Sequence, residues 1–164
     1  MSFTLRATHV ADIFRLQDIE RAAAELFRDS DLIDISSMGV VSLGDHEMAI
    51  GRGLSFVADV DGRIAGFAIG DMHFDDAYLH ELDVDPAYQQ RGIGAALVKH
   101  FVSGARARGA KAVYLSTFRT PPCRRPGAIC STPCGTRCRL GGWCRPSPQP
   151  SPHRGEGVMA RIPY

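Results

Sequence analysis

Apolar and polar residues alternate at the start of the chain, where Phe3-Thr4-Leu5-Arg6-Ala7 reads as a first strand. The step then lengthens to three and four: Ile13, Leu16, Ile19, Ala23 and Leu26 share one face of a helix running to about Phe27, with Thr8 placed to cap it. Asp29-Ser30-Asp31 breaks that rhythm, and a less regular stretch follows to Gly53, with a short second helix around 45–50. Leu54 to Val60 and Arg63 to Gly70 are two strand-like runs joined by Asp61-Gly62, the strongest short hairpin signal in the chain. Asp75-Asp76 marks another turn, and Ala77-Tyr78-Leu79-His80-Glu81-Leu82-Asp83-Val84 is a fourth strand. After a glycine turn, Ile93, Leu97, Phe101 and Ala105 form the stripe of a long helix that stops at Arg108-Gly109. Ala112 to Phe118 is a fifth strand, and a helical crossover of that length makes the fourth and fifth strands parallel neighbours.

Composition alters this picture mainly after Arg119. The 164 residues suit one domain, and 45% apolar with 23% charged residues is ordinary for a globular chain. No apolar run approaches the ~20 residues of a membrane span, and Met1-Ser2-Phe3-Thr4-Leu5-Arg6 lacks a secretory pattern. The expected location is therefore cytoplasmic, with neither membrane nor nucleic acid as a partner. The net charge of +1 conceals an asymmetry: 17 of 18 acids lie at or before Asp85, and none falls between Pro86 and Gly155. A basic second half suits a ligand with several phosphates, and an oddly composed tail accounts for it as well.

From Thr120 to Gly157 there are eight of the ten prolines, all five cysteines and one acid, without strand or helix periodicity. The domain boundaries expected are thus 1–119 for a folded unit and 120–164 for a Pro/Arg/Cys-rich tail, either disordered or read from a shifted frame. Cys130, Cys134 and Cys138 with Cys123 or Cys144 offer four thiolates, but the spacing lacks the paired form usual in structural zinc sites, and no metal ligand is assigned.

The candidate chemistry lies between the fourth strand and the long helix, in Leu82-Asp83-Val84-Asp85-Pro86-Ala87-Tyr88-Gln89-Gln90-Arg91-Gly92-Ile93-Gly94-Ala95. Pro86 ends the strand, and the glycines sit where a helix begins. A helix start offers unpaired N–H groups and partial positive charge, and glycines let an anion approach them. Gln89 and Arg91 could add side-chain contacts to a phosphate. A dinucleotide fingerprint would need a glycine at Leu97, and a Walker loop would need Gly-Lys-Ser/Thr; neither is present.

A strand ending Leu-Asp-Val-Asp-Pro, followed by Gln-Gln-Arg-Gly-Ile-Gly and a helix, resembles the acetyl-CoA signature of the GCN5-related N-acetyltransferases, over about residues 3–119. The resemblance implies an α+β fold, a mixed and mostly antiparallel sheet flanked by helices. In this chain the family's C-terminal helix and hairpin are unrecognisable, leaving the fifth strand as an open edge and a homodimer as one outcome. It implies transfer of an acetyl group from acetyl-CoA to a primary amine, on a small molecule or a peptide, by direct attack. Leu82 and Val84 would pair with the pantetheine arm, with the Leu82 N–H as oxyanion donor, and Gln89, Gln90, Arg91, Gly92, Ile93, Gly94 and Ala95 would hold the diphosphate. Glu81 would be the base, with His80 and Tyr78 as alternatives; strand alternation puts His80 and Glu81 on opposite faces unless a bulge intervenes. The tyrosine acid of the family belongs to the missing helix, so transfer by this chain is expected to be impaired, and a CoA-binding module without turnover or a zinc-dependent interaction tail are the alternatives. Asp34, Met38, His46, Glu47 and Met48 could line the acceptor pocket, though solvated loop residues would look the same.

Overall fold

A computed structural model of the chain describes residues 2–25, 39–118 and 157–162. Among the described residues six strands form one sheet in chain order: β1 (Thr4–Ala7), β2 (Ser55–Val60), β3 (Arg63–His73), β4 (Asp76–Val84), β5 (Ala112–Phe118) and β6 (Gly157–Ile162). All neighbours are antiparallel except β4 and β5, which the crossover through α3 (Ile93–Ala107) makes parallel. The Asp61-Gly62 hairpin forms as the dipeptide predicts. Both residues take positive φ, 50° and 80°, and the Asp59 carboxylate accepts from the Gly62 N–H at 2.7 Å.

Helices cover the sheet on both sides. α3 lays Ile93, Leu97, Phe101 and Ala105 against Leu54, Phe56, Ala68, Ala77, Leu79 and Val113, all buried. On the other side, α1 (Ile13–Ala24) and α2 (Leu43–Arg52) close over Val57, Ile64, Phe67 and Ile69 with Leu16, Ile19 and Ala49. The predicted second helix is thus real and longer than its pattern, because Ser42 caps it by accepting from the Asp45 N–H and Gly53 ends it in the left-handed region.

Two expectations are corrected. Thr8 does not cap α1: its hydroxyl is buried and accepts from Ser55 Oγ at 2.7 Å, while a 3-10 turn, Val10–Asp12, leads into the helix behind His9, whose N–H donates to Asp12. Nor is β5 an open edge, since β6 pairs along it from Phe118↔Gly157 to Val113↔Ile162. Ile162 packs against the α3-side core. An argument for dimerisation from a bare β5 edge therefore falls. The five cysteines, Asp34 and Met38 lie outside the described residues, as does any test of the expected boundary at 119.

Candidate functional site

β4 is the element on which the site is built. It pairs with β5 only from Asp76↔Ala112 to Leu79↔Leu115, although β4 continues to Val84 and β5 to Phe118. The two strands therefore part, and among the described residues the β4 edge from His80 to Val84 has no strand beside it. Asp85 donates its N–H to Ala65 O on β3 at 2.9 Å. Two-residue alternation then turns the N–H and C=O groups of Leu82 and Val84 to the opposite edge, where among the described residues no strand pairs and Gln89 Nε2 reaches Val84 O. This is where an extended ligand could add itself as a strand.

A bulge sits at the same place. The β3–β4 register slips between Ile69 and Gly70, so that Ile69 opposes Glu81 and Gly70 opposes Leu79, with His80 as the extra residue. Ala77 and Leu79 pack on the α3 side before the bulge, Leu82 and Val84 after it. His80 and Glu81 consequently both turn to the α1/α2 side, where they line one cleft of about 450 Å³. Glu20 of α1, the 39–42 segment, Met48 and Arg52 of α2, and Asp71 of β3 complete its walls. His46, expected as a possible lining residue, is instead fully buried against Phe67, and neither ring nitrogen has a hydrogen-bond partner among the described residues. Glu47 does not line the cleft either.

The cleft is acidic on its inner side. Burial pushes the Glu81 carboxyl above the usual carboxylate range, opposed by Asp83, the Leu82 N–H and His80. Burial also pushes Asp83 up, helped by the charges of Glu81 and Glu20. Burial likewise raises Glu20 to about 7, although its two oxygens each accept from the Val41 N–H at 3.0 Å. Glu81 is therefore a carboxyl that burial makes harder to ionise than an exposed one. Of the two alternatives, His80 is exposed and bound at 2.9 Å to Asp71, which Arg52 also holds at 2.9 Å. Tyr78 stacks on Tyr114 with centroids 5.5 Å apart.

The turn after β4 is held by residues that pattern alone did not single out. Asp85 accepts from the Ala87 N–H at 2.8 Å and pairs with Arg15 of α1, which also donates to Ile64 O at 3.2 Å. Pro86 starts a 3-10 turn to Tyr88. Gln90 and Gly92 then take positive φ, 62° and 81°, bringing the chain round to α3. Gln89 and Arg91, expected toward a phosphate, brace the turn itself: Gln89 Nε2 donates to Val84 O at 3.0 Å, and Arg91 donates to Ala87 O at 3.1 Å while lying over the Tyr88 ring. The signal for this was their spacing of five and four residues from those carbonyls.

At the start of α3, Gly92 makes no side-chain cap, so the N–H groups of Ile93, Gly94 and Ala95 lack intrahelical acceptors. A Cβ built on Gly92 would meet nothing within 4 Å, and one on Gly94 only Val84 Cγ2 at 3.7 Å. These glycines keep open a space that no described residue fills. A concave row of amides at a helix start, continuous with a strand edge that no described strand pairs, fits a diphosphate followed by an extended amide-bearing arm.

The Acetyltransferase (GNAT) family model matches residues 15–121. Escherichia coli (strain K12) ribosomal protein bS18-alanine N-acetyltransferase is 38% identical over 64 residues, 39% of this chain and 43% of that protein, so less than half the relative's length is spanned. Among solved structures, the PaiA N-acetyltransferase from Thermoplasma acidophilum in complex with coenzyme A superposes with a TM-score of 0.64 at 20% identity, covering 73% of this chain and 82% of that one. The Escherichia coli ribosomal-protein-S18-alanine N-acetyltransferase superposes with a TM-score of 0.58 at 25% identity, covering 74% and 70%. With the family model spanning most of the chain and the parted β4 edge leading into a glycine-opened helix, the protein belongs to the GNAT acetyltransferase family.

Proposed function

We propose that this chain moves an acetyl group from acetyl-CoA to a primary amine. The observation that carries the reading is the coincidence, within residues 80–95, of a strand edge with no strand beside it among the described residues, a bulge that turns Glu81 into the cleft, and a helix start whose first three N–H groups have no intrahelical acceptor. Acetyl-CoA supplies the thioester carbonyl; the amides of Gln90 to Ala95 would hold its diphosphate, and Leu82 and Val84 its pantetheine arm.

The amine enters from the α1/α2 side, past Arg52, Asp71 and His80, to the carbonyl beside β4. Its nitrogen forms the new C–N bond as the C–S bond breaks, and Glu81, raised by burial, takes the ammonium proton directly or through one water. The Leu82 N–H faces the developing oxyanion. The thiolate leaves as such or takes a proton from water, since no acid is assigned among the described residues.

A polypeptide N-terminus is the first acceptor to test, because relatives acetylate a ribosomal protein at alanine. A cytoplasmic setting belongs to the same proposal. The test is thiol release from acetyl-CoA with an amine panel that includes an N-terminal alanine peptide, run beside calorimetry with CoA. Release with at least one amine supports transfer. Heat without release would make the chain a CoA-binding module, and neither would refute the reading.

A further inference from the structure

Glu20 lies on α1 with its side chain turned away from solvent, at a residue exposure of 8%. Both carboxylate oxygens accept from the Val41 N–H at 3.0 Å, and Gln17, one turn earlier, donates Nε2 to Val41 O at 2.9 Å. One helix face thus grips both backbone polar groups of a single residue in the 39–42 segment. Residues 39–42, Glu20 and Glu81 line the same cleft, and the charge of Glu20 is felt by the β4 carboxyls. A buried carboxylate would ordinarily be replaced by an apolar side chain at no loss of stability. This one is hydrogen-bonded to a residue of the cleft wall and lines the cleft itself.

We propose that Glu20 is a positioning residue of the acceptor cleft, fixing the 39–42 segment through Val41 and presenting its charge to the Glu81 and Asp83 carboxyls. This rests on the acetyl-transfer reading above. The acceptor arrives as a cationic amine, so an ionised Glu20 attracts it while opposing ionisation of the two β4 carboxyls. The groups facing Glu20 are Glu81, Asp83 and His80 on β4, Asp71 on β3, Asp45 and Arg52 on α2, and Arg21 on its own helix.

The test uses the full chain with three variants, Glu20→Gln, Glu20→Ala and Gln17→Ala, and reads acceptor KM, acetyl-CoA KM, kcat and the pH profile of kcat/KM. Glu20→Ala should raise acceptor KM about tenfold, the equivalent of one charge-assisted hydrogen bond, with acetyl-CoA KM within about twofold. Glu20→Gln keeps an oxygen for Val41 and should recover much of that loss, while moving the acidic limb of the profile to lower pH. Gln17→Ala loosens the same wall without altering charge, and should raise acceptor KM with the profile unmoved. Thermal melts establish that each variant is folded. Wild-type turnover with unchanged acceptor KM and profile in both Glu20 variants overturns this inference alone, as does an equal rise in both KM values. A wild type that transfers to no amine overturns it together with the reading it rests on.

Discussion

Replacing Gly94 by alanine separates the needs of the fold from those of the ligand. Gly94 occupies the first turn of α3, where glycine is a poor helix former, and its added Cβ would meet only Val84 Cγ2, at an ordinary contact of 3.7 Å. The folded protein has no reason to resist the change. Alanine should stabilise it by roughly 0.5–1 kcal/mol through the unfolded chain's lost freedom and better helix propensity. In a chain of 164 residues that is a rise in Tm of about 1–4 °C. The same methyl group stands where a diphosphate would approach the amides of Ile93 to Ala95. Two weakened charge-assisted hydrogen bonds of about 1.5 kcal/mol each would cost affinity by roughly a hundredfold. Differential scanning calorimetry and CoA titration on the same preparations read the two effects. A variant that melts no lower and binds CoA as well as wild type would refute the placement of the diphosphate at this helix start.

Three further outcomes follow from the described geometry. Glu81→Gln should lower kcat by about 10²-fold with CoA affinity within about twofold, and should remove the acidic limb of the pH profile that the raised Glu81 carboxyl places above the ordinary carboxylate range; steady-state kinetics across pH checks both. His46 is buried and held below the usual imidazole range, so its contribution to stability is present above the unfolded value of about 6.5 and lost as pH falls below it. His46→Leu should therefore flatten the decline of Tm on acidification from neutral pH, and an unchanged slope would count against the burial argument. Gly70→Ala would set its Cβ 1.9 Å from Tyr78 O and 2.6 Å from Phe101 Cζ, at the bulge itself. It should destabilise by at least about 2 kcal/mol in urea unfolding.

The parts of the fold readable from sequence are those where local and tertiary demands agree. The α3 stripe of Ile93, Leu97, Phe101 and Ala105 is both a helical period and the buried face. Asp61-Gly62 supplies the two positive φ angles that its hairpin requires. The bend at Pro86 and Gly92 likewise appears where turn residues put it. What escaped depends on partners distant in the chain. Thr8 has the chemistry of a cap, yet Ser55 on β2 claims its hydroxyl. Glu20 and Gln17 look like polar residues of a solvated helix face until Val41 is folded onto them. The shared orientation of His80 and Glu81 follows from a register slip against β3, which no single-strand pattern contains. Gln89 and Arg91 have chemistry that suits an anion, and each also places one N–H on a nearby carbonyl, a contact the sequence did not show. β6 was hidden because it follows a stretch without periodicity and has meaning only beside β5.

The account stands on the clasp formed by the β4 edge and the first turn of α3, and backbone amide shifts of the isotopically labelled chain during CoA titration report on it residue by residue. Saturable shifts concentrated at Leu82, Val84 and Gln90 to Ala95 are the predicted result. Shifts centred elsewhere, or none at millimolar CoA, would contradict it.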